Sequence, residues 1–138
     1  MNTNIDLVKM IDLPFVKDPR GMLTFGEYQK HIPFEIKRFY FLHNIEENAV
    51  RGSHAHKQLH QFMIAISGKF DLQLFDGFKE LNFTLDNPNQ ALYIPPMMWR
   101  TLRHFSQDAI CFVLASDLYK EDDYFRSYDD FVKAVHQL

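Results

Sequence analysis

The feature that most constrains the fold is a rhythm of short apolar stretches cut by turn signals. Candidate strands fall at residues 5–13, 21–27, 35–42, 52–56, 61–67, 69–75, 79–85, 91–94, 100–104 and 109–115. Between them stand Asp18-Pro19-Arg20-Gly21, Ser67-Gly68, Asp76-Gly77, Asp86-Asn87-Pro88-Asn89 and Ser106-Gln107-Asp108, which are turn chemistries. Asp76-Gly77 is a strong hairpin cue, because that pair tolerates the positive φ a tight turn needs. Many short strands at this spacing build a sandwich or a barrel. Phe62, Ile64 and Ile66 line one face of their strand and Met63 and Ala65 the other, so that strand lies between layers or against a second subunit. The period changes only near the end. Tyr124, Tyr128, Phe131 and Val135 recur at helical spacing, with Asp122 and Asp123 near the start, and predict an amphipathic helix over 121–136. The expected class is all-β with this terminal helix, in one domain over 1–138.

Composition narrows the function. Hydrophobic residues make up 46% and charged residues 24%, as in a folded chain and unlike a disordered one. With 14 Phe and 6 Tyr against 5 Gly, the core is built from rings. Fifteen basic and 18 acidic residues give a net charge of −3, which argues against a nucleic-acid binder but leaves room for a small anion in a locally cationic pocket. The single Cys111 excludes an intrachain disulfide and a multi-cysteine zinc site, and its apolar surroundings make it a core residue. The N-terminal residues do not resemble an export signal, and no run approaches the ~18 apolar residues of a membrane span. A cytoplasmic protein without a membrane partner is expected. Walker A, G-x-G-x-x-G and G-x-S-x-G motifs are absent from the sequence.

Three polar clusters could carry chemistry. In the stretch Arg51-Gly52-Ser53-His54-Ala55-His56-Lys57-Gln58-Leu59-His60, His54 and His56 project to the same side of an extended strand, about 7 Å apart at Cα. His60 could join them after a turn. Three imidazoles invite a metal, while a histidine pair on a strand is also compatible with plain surface. The second cluster, Tyr93-Ile94-Pro95-Pro96-Met97-Met98-Trp99-Arg100, presents the only tryptophan and an arginine that is hard to bury without an anion. In the third, Arg38, Tyr40 and Leu42 share a face by period two. Arg20, Arg38, Arg51 and Arg100 thus stand near turns or pocket-facing strands, and guanidinium binds phosphate oxygens bidentately.

The sequence resembles the nucleotide-sugar 3,4-ketoisomerases, small cupins acting on dTDP-4-keto-6-deoxyglucose. The resemblance runs over nearly the whole chain. It rests on Asp18-Pro19-Arg20-Gly21, the stretch from Ile32 to Tyr40, the stretch from Arg51 to Lys57, Leu92-Tyr93-Ile94-Pro95-Pro96 with Trp99, and Val113-Leu114-Ala115-Ser116-Asp117 followed by Tyr124 and Tyr128-Asp129. It implies a cupin-type jelly roll, a homodimer, a substrate cleft inside the roll, and a reaction that uses no metal or organic cofactor. The product would be a 3-keto-6-deoxyhexose nucleotide, normally aminated and acylated for surface glycans. His54 would take the C3 proton and return one to C4, a task suited to a histidine titrating near neutrality. Tyr40 would pass a proton between the C3 and C4 oxygens, and His56 would hold the pocket and polarise an oxygen. Arg20, Arg38, Arg51, His60, Trp99 and Arg100 would contact substrate.

Metal-binding cupins supply a Glu where this chain has His60, and a His after the tryptophan where it has Arg100, a poor neighbour for a metal ion and a good one for an enediolate oxygen. Arg100 resembles family members making the gluco product, and Arg20 resembles those making the galacto product. A metal-dependent cupin enzyme using the three histidines and a non-catalytic sugar-nucleotide binding module are the competing readings.

Overall fold

A computed structural model of the chain describes residues 3–137. Among these, the strands are β1 (Lys9–Asp12), β2 (Phe15–Asp18), β3 (Gly21–Thr24), β4 (Arg38–Leu42), β5 (Arg51–His56), β6 (Gln61–Ser67), β7 (Phe70–Phe75), β8 (Glu80–Leu85), β9 (Gln90–Ile94), β10 (Trp99–Arg103), β11 (Ile110–Ala115) and β12 (Tyr124–Phe125). The one α-helix among them is α1 (Tyr128–His136). One sheet runs β1-β9-β6-β11-β4 and the facing sheet β12-β5-β10-β7-β8, with all strand pairs antiparallel. Met63, Leu92 and Val113 from the first sheet meet Phe70, Leu74 and Leu102 from the second in a shared apolar core. The result is the expected all-β roll with a C-terminal helix. No helix among the described residues is long and apolar enough to cross a membrane.

Sequence and structure part at three places. Residues 5–13 do not form one strand: Asn4–Leu7 is a 3-10 turn, capped by the Thr3 side chain, and only β1 is extended. Residues 15–18 form β2, which pairs with β3 across the Asp18-to-Gly21 turn as a separate two-stranded hairpin. The expected helix over 121–136 is three elements: a 3-10 turn (Glu121–Asp123), β12, and α1. The cause is Ser127, whose hydroxyl accepts from the Asp130 N–H at 3.2 Å and starts the helix there. Asp129 and Asp130 then occupy the favourable first turn. Upstream, Tyr124 and Phe125 pair with His56 and Ala55 instead of coiling.

The helix packs on the outer side of the second sheet. Phe131 and Val135 bury against Ala55, with Phe75, Trp99 and Phe125 around them. Gly77 permits this close approach: a Cβ there would lie 2.8 Å from a Val135 methyl, and its φ of +100° disfavours any other residue.

Candidate active site

A cavity of about 380 Å³ opens inside the roll. β4 contributes Arg38, Tyr40 and Leu42, the row that period two placed on one face. β5 contributes Arg51 and His54, β10 contributes Arg100 and Leu102, and Tyr124 and Arg126 come from β12 and the residue after it. Met63, Cys111 and Val113 form an apolar wall. Four guanidinium groups therefore line one hollow of a chain whose net charge is −3.

Arg51 and His54 are three residues apart, so in a regular strand they would face opposite ways. A bulge changes that. Leu102 and Thr101 pair with Arg51 and Gly52, but Arg100 pairs with His54, which leaves Ser53 as the extra residue. Gly52 and Ser53 adopt φ of +83° and +57°. Glycine is needed at the first, since a Cβ there would stand 3.0 Å from the Arg100 carbonyl oxygen. Arg51, His54 and Arg100 reach the same cavity as a result.

His54 Nδ1 lies 3.1 Å from the Gly52 carbonyl oxygen, which can only accept, so Nδ1 carries the hydrogen. Nε2 is left with a free lone pair, buried and without a partner. Burial first, and Arg100 next, push the imidazole pKa down to about 4. The expectation of a free-state value near neutrality is thus corrected: desolvation and a buried cation keep His54 neutral well into acid.

His56 stands behind it. The two rings meet edge to face at 4.9 Å, and Tyr124 packs 4.4 Å from His56. His56 lines an adjoining hollow and not the main cavity. Its Nδ1–H donates to the Asp123 carboxylate at 3.1 Å, and Nε2 is again buried and unpartnered. Burial, then Arg100, hold its pKa down to about 2.

Arg100 is 2% exposed. Its guanidinium donates to the Met98 carbonyl and to Gln61 Oε1, both neutral. No carboxylate among the described residues forms an ion pair with it. Burial lowers its pKa to about 10, which still leaves it charged at neutral pH. Tyr40 Oη accepts from Gln61 Nε2 at 2.9 Å. A base with an open lone pair, a phenol and an uncompensated cation thus surround one space, the parts needed to move a proton beside a carbonyl.

Residues 6–136 match the model of the family described as FdtA: WxcM-like, C-terminal. The TDP-4-oxo-6-deoxy-alpha-D-glucose-3,4-oxoisomerase of Aneurinibacillus thermoaerophilus is 40% identical over 130 residues, covering 94% of both chains. The chain belongs to this family of sugar 3,4-ketoisomerases. A 3,4-ketoisomerase from Helicobacter canadensis superimposes with a TM-score of 0.91 at 41% identity, over 94% of this chain and 97% of that one. The TDP-quinovose 3,4-ketoisomerase WlaRB of Campylobacter jejuni gives 0.89 at 42% identity, over 94% and 99%. The ketoisomerase family thus accounts for the roll and its terminal helix.

Three residues expected at the site lie elsewhere in this ketoisomerase fold. His60 does not line the cavity; its Nδ1 is 2.6 Å from the Tyr93 hydroxyl and its ring stacks on Tyr93. No group of three His, Cys, Asp or Glu side chains is placed to hold a metal among the described residues. Trp99 faces away, with Tyr128 and Phe131 against its ring, because neighbours in a strand point to opposite faces and Arg100 takes the inner one. Arg20 sits at the β2–β3 turn with its side chain 90% exposed, paired with Asp18.

The site also holds residues that sequence reasoning missed. Gln61 is the one polar residue in the buried part of β6. Asp123 orients His56. Arg126 stacks 4.1 Å from the Tyr124 ring and is held by Glu121 at 2.6 Å. A lone polar residue opening an apolar strand was a readable signal for Gln61. Arg126 and Asp123 had none, because the segment read as one helix.

Proposed function

We propose that the chain converts TDP-4-keto-6-deoxyglucose into the TDP-3-keto-6-deoxy isomer, with His54 carrying the proton. The observation behind this is the His54 Nε2 lone pair, buried and unpartnered in a cavity lined by four arginines. Nε2 removes the C3 proton, and the C–H electrons form the C3=C4 bond while the carbonyl pair moves to O4. Tyr40 gives its hydrogen to O4 and takes the one on O3. The O3 electron pair then restores a carbonyl at C3 as C4 accepts the proton from His54. Atoms and electrons balance without a co-reactant.

Arg100 stabilises the enediolate charge from the dry side of the cavity. Arg38, Arg51 and Arg126 take the diphosphate. His56 acts from behind: its Nδ1–H is committed to Asp123, so it holds the His54 ring and keeps only an acceptor at Nε2. Arg100, the residue that resembles members making the gluco product, lines the cavity beside His54, which favours that product. The TDP-quinovose specificity in the name of WlaRB points the same way.

The catalytic unit is a homodimer. Phe39 and Phe41 are 62% and 49% exposed on the sheet-edge strand β4, and Val16 and Leu23 are bare on a hairpin too small to stand alone. In such a pair Arg20 reaches substrate only through the second copy. Light scattering should give twice the chain mass; a monomer at enzyme-assay concentration refutes this part. The reaction is assigned to the cytoplasm, where nucleotide sugars are interconverted.

The test is His54→Asn with TDP-4-keto-6-deoxyglucose, followed by NMR. The parent should form the 3-keto isomer without added metal, with a large H4–H5 coupling for the gluco product. The variant should lose turnover by about 10³-fold or more while binding TDP within about threefold of the parent. Full turnover in the variant removes His54 as the base. A parent that binds TDP and makes no isomer is a binding module.

A further inference from the structure

We propose that Gln61 is a positioning residue that fixes which way Tyr40 turns its hydrogen and links that phenol to the charge of Arg100. This deepens the ketoisomerase reading and rests on it.

Gln61 begins β6, in the middle of its sheet, with Ile94 on one side and Ala115 on the other. It is 1% exposed, and the next four residues of the strand are apolar and buried. A buried amide is costly unless both its ends are bonded. Both ends are bonded here, and each partner lines the cavity. Arg100 has only donors, so it can meet only the amide oxygen. The orientation of the amide follows: oxygen toward Arg100, nitrogen toward Tyr40.

That orientation controls the phenol. Gln61 Nε2 donates into a lone pair of Tyr40 Oη, so the phenolic hydrogen must point elsewhere. No acceptor for that hydrogen is found among the described residues, and Tyr40 lines the cavity. Its O–H is therefore presented to the sugar oxygens. The link also carries charge. Arg100 polarises the amide through its oxygen, which strengthens the amide N–H as a donor and supports negative charge on the phenol oxygen while a proton is in transit.

Glu and Met separate this role from packing. Gln61→Glu is isosteric and can ion-pair with Arg100, but its other oxygen can only accept; it draws the Tyr40 hydrogen away from the cavity and cancels the Arg100 charge. Gln61→Met keeps the length and leaves the phenol free to turn. Gln61→Glu should lose about 100-fold or more in kcat, with KM and TDP affinity within about threefold and melting temperature at or above the parent's. Gln61→Met should lose about tenfold. A packing role predicts the reverse order, so kcat of Gln61→Glu within threefold of the parent, or Gln61→Met losing as much as Gln61→Glu, overturns the proposal. If Gln61→Glu fails to fold, a cycle decides: in a Tyr40→Phe background, Gln61→Met should change residual turnover less than about threefold, and an undiminished tenfold loss refutes action through Tyr40. A parent without isomerase activity would instead refute the function itself.

Discussion

Trp99 and Arg100 are neighbours in sequence, the first half-buried and the second buried, and they point to opposite faces of one sheet. On the outer side Trp99 joins Phe75, Phe125, Phe131 and Ala55 beneath α1, where carbon meets carbon. On the inner side Arg100, His56 and Gln61 are buried and His54 half-buried, and two imidazole nitrogens have no partner. Burial stabilises the first set by roughly 1.5–3 kcal/mol per large side chain. It costs the second set, as the depressed pKa values of His54, His56 and Arg100 record. The same strands thus keep stability on one face and reactivity on the other.

The contrast can be broken by exchanging effects between faces. Phe131→Ala should cost about 3–5 kcal/mol in denaturant unfolding, while turnover per folded molecule stays within about twofold. Arg100→Met should do the opposite. Losing a buried donor cation should lower kcat by about 10²–10³. Relief from desolvation and the loss of bonds to Met98 and Gln61 oppose each other, so melting should stay within about 5 °C of the parent. A Phe131 variant that loses kcat in its folded fraction, or an Arg100 variant that keeps full activity, would erase the division.

The smallest effect sharpens it. Native His54 and His56 bind protons only near pH 4 and pH 2, whereas the unfolded chain binds them near the ordinary value of 6.5. Below that value the unfolded state holds more protons, so stability is fully present above pH 6.5 and is lost as pH falls, toward 4 for His54 and toward 2 for His56. The slope is at most about 1.4 kcal/mol per pH unit for each histidine. Chemical unfolding between pH 7 and 5 should show this decline, and His54→Asn should remove about half of it. A flat profile would mean the inner face is wetter than the geometry allows.

Much of this division was legible in the residues. Alternation and turn chemistry located the body of the roll, and Arg38, Tyr40, Arg51, His54 and Arg100 do converge on one cavity. Period two also held the information that Trp99 and Arg100 cannot face the same way. The end of the chain was harder. Tyr124 keeps helical spacing with Tyr128 and Phe131, yet it pairs with His56 as a strand. Side-chain period does not reveal a backbone break; the Ser127 cap, with Asp130 three residues on, did mark it. Gln61 stood out as the lone polar residue opening an apolar strand, but its partners, like that of Asp123, lie far along the chain, which no local pattern encodes.

The single extra residue at Ser53 has a broader consequence. It resets parity within β5, so that an odd interval in the sequence becomes agreement in space. If the ladder ran regularly here, with Ser53 opposite Arg100, strand number and composition would be untouched, yet the imidazole of position 54 would turn toward the helix and Ser53 would take its place in the cavity. The chemistry of this chain is thus more vulnerable to a one-residue slip of register in β5 than to many changes of residue type.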